Sequence, residues 1–380
     1  MLPYGRQQID DADVRAVVDA LRSDWITTGP RVSEFEEAFA AKVRAGFAVA
    51  LSSGTAALHA AAFAAGIAPG NEAIVTPLTF VASANCVRYQ GGTVVFADVR
   101  PDTLNLNPQF VEAAVTNRTR AIVTVDYAGQ PSDIEELRAL AHRHGITLIE
   151  DAAHALGATY RGRSVGGLAD LTVFSLHPVK HITSGEGGMV TTNHADLAGR
   201  VRSFRNHGIR TDHLQRSEAG TWLYDMVDLG YNYRITDFQC ALGASQLRKL
   251  DGWVTRRREI AARYDGELSN LNSLQTPVVL SDRESAWHLY TVRLRLERLS
   301  VDRGEIFRAL RAENIGVNVH YIPVPWHSYY ASQGYSRGQW PVAESAYEEL
   351  LTLPIFPAMS DRDIDDVLTA VGKVLNHYAR

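Results

Sequence analysis

Asp151 closes the apolar run TLIED, and Lys180 follows LTVFSLHPV, held between Pro178 and the glycine-rich turn SGEGG. The carboxyl ends of strands are where open α/β sheets place ligands, and an acid buried there needs a cationic partner or drifts toward neutrality. An amine fixed at such an edge is held, whereas most lysines are ordinary surface charges. Upstream, LSSGTAALHAA carries a strand into Ser53, Gly54 and Thr55 and then into an alanine-rich helix. Free backbone N–H groups, hydroxyls and a positive helix end together suit a phosphate, although the same hydroxyls also serve as plain helix caps. By position alone, Asp151 reads equally as a cap.

Taken jointly, these residue types describe one chemistry. A lysine that joins covalently to pyridoxal phosphate needs a carboxylate on the pyridine nitrogen, a phosphate cradle and an aromatic ring against the cofactor face. Asp151 answers the first need, keeping the ring protonated so that it can take up the electrons left when a proton leaves a substrate carbon. Thr55 and Ser175 answer the second, and Phe80 in TPLTFVASAN the third.

Positioning these groups falls to a run of strands and helices. Between about residues 47 and 200, FAVAL, EAIVT, TVVFAD, AIVTVD, ITLIED, LTVFSL and GMVTTN alternate with helical patterns such as AALHAAAFAAGI and SDIEELRALAHRHG. Apolar strands without clean alternation, separated by helices, predict a mainly parallel sheet covered on both faces, an α/β domain. Residues 10–22 and 32–44 read as N-terminal helices joined by the turn TTGPR. From residue 235, ITDFQCALGASQLRKLDGWVTRRREIAARYDGEL has helical spacing, with a bend expected at Gly252 and Trp253 and a role as the bridge between two domains. Beyond about residue 270 the chain reads strand, helix, strand and two helices, with HLYTVRLRL, NVHYIPV and DRDIDDVLTAVGKVL as landmarks. Because single cores stop growing near roughly 250–300 residues, the expected division is a large α/β domain over 1–250 and a small α+β domain over 251–380.

Composition narrows the class. With 46% hydrophobic and 21% charged residues and a net charge of -5, the chain has the make-up of a soluble globular protein and lacks the basic footprint of a nucleic-acid binder. No apolar run nears the ~18 residues of a membrane span, and MLPYGRQQIDDADV lacks the pattern of a signal peptide, so a cytoplasmic protein without a membrane partner is expected. Cys86 and Cys240 lie in apolar helical patterns and read as small core residues in a reducing compartment. His177 and His181 stand four apart, but Pro178 between them breaks a shared helix face and no third ligand lies at metal spacing, so no metal is expected.

Eight motifs, SSGTAAL, TPLTFVASAN, DYAGQ, EDAAHALGATY, FSLHPVKHITSGEGGMV, FRNHG, LGYNYRITDFQCALGASQL and VHYIPV, follow one another across nearly the entire chain. In that order they resemble the DegT/DnrJ/EryC1/StrS family of sugar-nucleotide aminotransferases. The resemblance implies the pyridoxal-phosphate-dependent transferase fold of the aspartate-aminotransferase type (fold type I), with a seven-stranded, mostly parallel sheet and a smaller C-terminal α+β domain. It also implies a homodimer with active sites at the subunit interface. Carried onto this chain, it makes Lys180 the Schiff-base lysine and Asp151 the partner of the pyridine nitrogen. Ser53, Gly54, Thr55 and Ser175 fall at the phosphate, Phe80 stacks on the ring, and His154 lies close to it. Asn232 of GYNYR would reach the phosphate of the other subunit; without the family it reads as a turn residue.

For the sugar nucleotide, the resemblance implies Tyr4, the loop of Asp24, Trp25, Ile26 and Thr27, and His320 with Tyr321, positions that could equally fill a domain boundary. Leu176 and His181 stand where relatives often have Phe and Pro, a departure that leaves the cofactor chemistry alone and bears on sugar preference. Within the family, HPVK, PYGRQ, DMVDLGYNYR and VHYIPV are most similar to the branch that moves an amino group from L-glutamate, leaving 2-oxoglutarate, to C4 of a UDP-4-keto-6-deoxy-N-acetylhexosamine in pseudaminic acid biosynthesis. Another 4-ketosugar nucleotide, of the perosamine type, stays open as the acceptor. Sugar dehydratases of the same fold carry histidine where this chain has Lys180, and a non-catalytic binding relative has no need of Asp151, Lys180, Ser175 and Asn232 together. Donor and acceptor would share one site without meeting, so ping-pong kinetics are expected.

Overall fold

The computed structural model describes residues 1–211, 215, 216 and 219–380. All seven apolar runs named above become strands of one sheet. These are β1 (Phe47–Leu51), β2 (Glu72–Val75), β3 (Thr93–Phe96), β4 (Thr119–Val125) and β5 (Thr147–Asp151), then, after the short pair β6 (Thr159–Tyr160) and β7 (Arg163–Ser164), β8 (Leu171–Ser175) and β9 (Gly188–Thr192). Their order is β1-β9-β8-β5-β4-β2-β3, and β9 alone runs against its neighbours. Nearly every residue of these strands is buried, because helices cover both faces and neither face can be polar.

The register brings the chemistry to one edge. Gly188, the first residue of β9, pairs with both Leu51 and Ser175, so the ends of β1 and β8 lie side by side. Asp151 ends β5 next to β8. Helix α2 (Pro30–Val43) packs on one face against β1, α1 (Asp11–Leu21) lies against helix Asp237–Leu247, and α3 (Gly54–Ala64) crosses the other face against β8 and β9, followed by α4 (Ala82–Tyr89). Small side chains let α3 approach the sheet closely, and Ala57, Ala60 and Ala61 are wholly buried. Its start is fixed by Ser53, whose Oγ accepts the Ala56 N–H at 3.0 Å, a cap worth about 1 kcal/mol. Cys86 and Cys240 are buried free thiols. Among the described residues, no helix is long and apolar enough to cross a membrane.

Two expectations about the C-terminal part need correction. The bend falls at Arg248 and Lys249, between helices Asp237–Leu247 and Leu250–Leu268, and Gly252 and Trp253 lie inside the second helix. Breaking there buries both Leu247 and Leu250 and carries Lys249 Nζ to Asp10 (2.7 Å) and Asp13 (2.8 Å) of the α1 start. A glycine within a helix, by contrast, costs only about 1 kcal/mol. Helix Leu250–Leu268 then spans two cores: Leu250 and Val254 join the one under α2, and Ile260, Tyr264 and Leu268 join the C-terminal one.

NVHYIPV is not a strand either; it holds a single bridge, Asn318 to Thr352. The C-terminal sheet is instead β10 (Leu274–Gln275), β12 (Tyr290–Leu294) and β13 (Leu350–Leu353), while β11 (Arg283–Glu284) pairs with β6. Pro323 has no N–H to give a ladder, and the segment turns toward the carboxyl edge of the large sheet, where His320 and Tyr321 line a cavity.

Candidate active site

A cavity of about 530 Å³ lies where the strand ends of the large sheet meet the segment 318–321. Ser53, Gly54, Thr55, Phe80, Asp151, His154, Ser175 and Lys180 line it from the sheet side, with Tyr4, His320 and Tyr321 opposite. Residues this far apart in the sequence meet because the register brings the ends of β1, β5 and β8 to one edge of the sheet.

Asp151 stands at the carboxyl end of β5. It is buried, its Oδ2 accepts the Ser83 hydroxyl at 2.7 Å, and its Oδ1 accepts the Ala153 N–H at 3.2 Å. Burial pushes its carboxyl above the usual aspartate range, against the pull of Ser83, Ala153 and the charge of Lys180. Lys180 is half-buried on the cavity wall, and burial lowers its amine to about 8, with the charge of Asp151 acting the other way. His154 is held neutral, well below the usual histidine range, by burial first and then by Lys180, His320 and His181. Its Nε2 meets the Tyr321 hydroxyl at 3.1 Å, while its Nδ1 is buried without a partner among the described residues. Burial likewise lowers His320 to about 3, helped by Lys180; its Nδ1 lies 2.8 Å from Thr352 Oγ1.

At the opposite end, α3 presents its first turn to the cavity. Gly54 faces Ser175 so closely that a Cβ at residue 54 would lie 3.0 Å from that side chain, and one at Gly188 would lie 2.3 Å from Ser53 O. The result is a small concave cradle with Ser53, Thr55 and Ser175 around it, the setting in which helix-start N–H groups bind a phosphate.

These features fit pyridoxal phosphate as the sequence reading requires it. The carboxylate of Asp151 is buried with two hydrogen bonds and, among the described residues, no basic side chain within ion-pair distance, so a protonated ring nitrogen would supply the missing cation. The cradle lies at the far end, Lys180 between them, and the space is that of a small-molecule site.

Other expected positions are elsewhere in the chain. Asn232 is exposed, bridged through its backbone to Asn206, and does not line the cavity. Asp24, Trp25, Ile26 and Thr27 also lie outside it; their loop is anchored by Asp237, whose N–H donates to Ile26 O at 3.1 Å and whose carboxylate accepts the N–H groups of Gly29 (2.8 Å) and Arg31 (3.0 Å). Phe80 is on the rim and 56% exposed, with its ring 6.2 Å from that of Tyr321.

Sequence reasoning missed Ser83, which reads as a small residue in an apolar helix, and His288, whose Nε2 lies 3.5 Å from Lys180 Nζ. Gly129 was also unmarked, although DYAGQ contains it. Its φ is +109°, and a Cβ there would sit 2.8 Å from Trp287 N and 2.9 Å from both His154 O and His288 N. Both the backbone conformation and the space demand glycine. Gly129→Ala is expected to destabilise the protein by about 2–3 kcal/mol, read from urea unfolding midpoints.

The model of the DegT/DnrJ/EryC1/StrS aminotransferase family matches residues 7–372. The spore coat polysaccharide biosynthesis protein SpsC of Bacillus subtilis is 43% identical over 377 residues, covering 98% of this chain and 97% of that protein. Among solved structures, a Streptococcus pneumoniae protein assigned to the sugar aminotransferases, Spr1654, matches at 30% identity over 99% of this chain. Its PMP form is covered to 100% with a TM-score of 0.94, and its PLP form to 99% with 0.92. Helicobacter pylori PseC, an aminotransferase involved in the biosynthesis of pseudoaminic (pseudaminic) acid, matches at 30% identity, 99% of this chain and 100% of that one, with a TM-score of 0.92.

Proposed function

The chain belongs to the DegT/DnrJ/EryC1/StrS aminotransferase family, and from that premise we propose that it moves an amino group from L-glutamate to C4 of a UDP-4-keto-6-deoxy-N-acetylhexosamine. At the coarser level it is a pyridoxal-phosphate-dependent sugar-nucleotide aminotransferase of fold type I. The observation that carries the reading is the buried, cation-free carboxylate of Asp151 in the same cavity as the amine of Lys180.

When bound, pyridoxal phosphate supplies an aldehyde that carries nitrogen between two substrates and a ring that takes up an electron pair. The chain's residues do the rest. Asp151, steadied by Ser83, would hold the proton on the ring nitrogen. Ser53, Gly54, Thr55 and Ser175 would bind the phosphate at the start of α3. Phe80 and His154 would lie against the ring. Lys180, when its amine is free, would serve as the base that takes a proton from the substrate carbon; an amine lowered to about 8 is neutral often enough near pH 7–8 for that part. Tyr4, His320 and Tyr321 form the wall at which the sugar would be received.

The likeness to PseC supports the acceptor and a place in pseudaminic acid biosynthesis. SpsC, more similar in sequence, favours a second reading in which the acceptor is another 4-ketosugar nucleotide destined for a surface polysaccharide. A homodimer is part of the proposal, with Asn232 and the loop Asp24–Thr27 reaching the neighbour's cavity. Trp222, Leu223, Tyr224, Met226 and Leu229, just before Asn232, are all exposed, a contiguous apolar stretch of the kind that a partner covers. A division into residues 1–250 and 251–380, close to the break at Arg248 and Lys249, and a cytoplasmic setting are further parts of the proposal.

Incubation with L-glutamate and a panel of UDP-4-ketosugars, followed by identification of the product, tests the reading. We expect 2-oxoglutarate and one 4-amino sugar in equal amounts. Turnover only with a nucleotide sugar outside that panel would replace the acceptor, and a colourless protein after incubation with pyridoxal phosphate would remove the chemistry.

A further inference from the structure

Lys180 has a neighbour that the proposed mechanism leaves unused. His288 lies behind it, buried and outside the cavity lining, with Nε2 at 3.5 Å from Lys180 Nζ. We propose that His288 is a positioning residue, whose Nε2 accepts a hydrogen bond from the Lys180 amine and fixes that amine against the cavity wall whenever it is not joined to the cofactor. The proposal rests on the role of Lys180 given above.

Everything around His288 is built to keep its ring still. The Ala286 N–H donates to Gly129 O at 2.9 Å and the Leu289 N–H to Ala128 O at 3.2 Å. His181 Nε2 is 3.0 Å from Ala286 O. From the other side comes Arg257, a guanidinium buried on helix Leu250–Leu268 that donates to the carbonyls of Trp287 (3.1 Å), His288 (3.3 Å) and Ile355 (2.8 Å). Among the described residues it has no carboxylate partner, so this cation is spent wholly on holding backbone. The His288 ring packs on that of His154 at 4.4 Å between centroids. A ring pinned along its own backbone and along one face presents Nε2 at a fixed point, which is what a supporting group of an active site requires.

Chemistry sets the direction of the bond. An amine lowered only to about 8 is mostly ammonium at neutral pH and can only donate. The facing charges of Lys180 and Arg257, with His154 and His181 alongside, add to burial in keeping His288 neutral, and Asp151 is the acid that faces Lys180. Nε2 is therefore the acceptor, and the ring proton sits on Nδ1. That nitrogen has no partner among the described residues. A proton reaching the ring has no onward route, so His288 positions Lys180 and does not relay its proton.

The test uses the full-length protein. In the apoprotein, acetylation of Lys180 by acetic anhydride is followed against pH by peptide mass spectrometry, and in the loaded enzyme kcat and KM are measured. An acceptor for the charged amine raises its pKa, so His288→Phe should move the acetylation midpoint down by roughly one pH unit. It should also lower kcat about 10–100-fold while KM for either substrate changes less than about threefold. His288→Gln, whose amide oxygen reaches close to the Nε2 place, should restore both. If His288→Phe fails to fold, His288→Asn, whose amide stops short of Nε2, takes its place with the same expected loss. A folded Phe or Asn variant with the wild-type midpoint and kcat overturns the proposal, as does a Gln variant no better than Phe. Should the wild type load no cofactor on Lys180, the functional reading fails, and the acetylation comparison still decides the role of His288.

Discussion

Lys180→Ala abolishes turnover, by about 10⁴-fold or more, because one amine serves as both attachment point and base and no second group can take over either part. His288 Nε2, 3.5 Å from that amine, lies outside the cavity lining. Folding should be unaffected: Lys180 is half-buried, makes no ion pair among the described residues, and removing it relieves a desolvated charge. The variant should still bind pyridoxal phosphate noncovalently through the α3 cradle and Asp151, and borohydride should leave no label on the peptide around residue 180. The same amine gives the wild type its pH signature. Only the neutral form accepts a proton, and burial brings its midpoint down to about 8, so the proton-transfer step should speed up as pH rises toward 8 and level off above it. Retained turnover in Lys180→Ala would show that another group carries the nitrogen.

Asp151→Asn separates activity from stability. Activity should fall about 10²–10³-fold, since the amide keeps the shape and the Ser83 contact but cannot sustain a positive ring nitrogen. The apoprotein should become no less stable, because the substitution removes a buried carboxylate that lacks a cation. The sign follows from linkage. The folded state raises this carboxyl, so it binds the proton more tightly than the unfolded chain, and the group's contribution to stability is lost as pH rises through its folded pKa. Urea melts of wild-type and Asp151→Asn apoprotein should therefore differ more at pH 8 than at pH 4. An unchanged rate would mean that another group supports the ring nitrogen, and a variant markedly less stable at pH 8 would mean that Asp151 already has a cation in the apoprotein.

Much of this molecule was legible because its strands are buried on both faces. FAVAL, ITLIED and LTVFSL have no polar side to disguise them, and a strand end with an acid or an amine is visible in the letters alone. Lys180 and Asp151 were found that way. Groups that act through space from another element leave no such mark. Ser83 is one small residue on α4, and its contact with Asp151 spans 68 positions. His288 reaches Lys180 across 108 positions, from the start of β12. The bend at Arg248 and Lys249 was misplaced for the same reason: a distant pair of acids, Asp10 and Asp13, decides it rather than the local glycine. NVHYIPV carries strand-forming residues, yet its side chains serve the cavity and its backbone makes only one bridge.

The reversed strand β9 ties assembly of the protein to assembly of its chemistry. Gly188 is at once the splice that joins β1 to β8 and the floor on which Ser53 rests. Slipping β9 by one position would turn Met189 and Val190 inside out, and in the direction that sets Met189 where Gly188 stands it would drive a side chain against Ser53. A chain with that fault could still look folded by its helices, but its anion seat would be spoiled, so uptake of the vitamin reports on the register of β9.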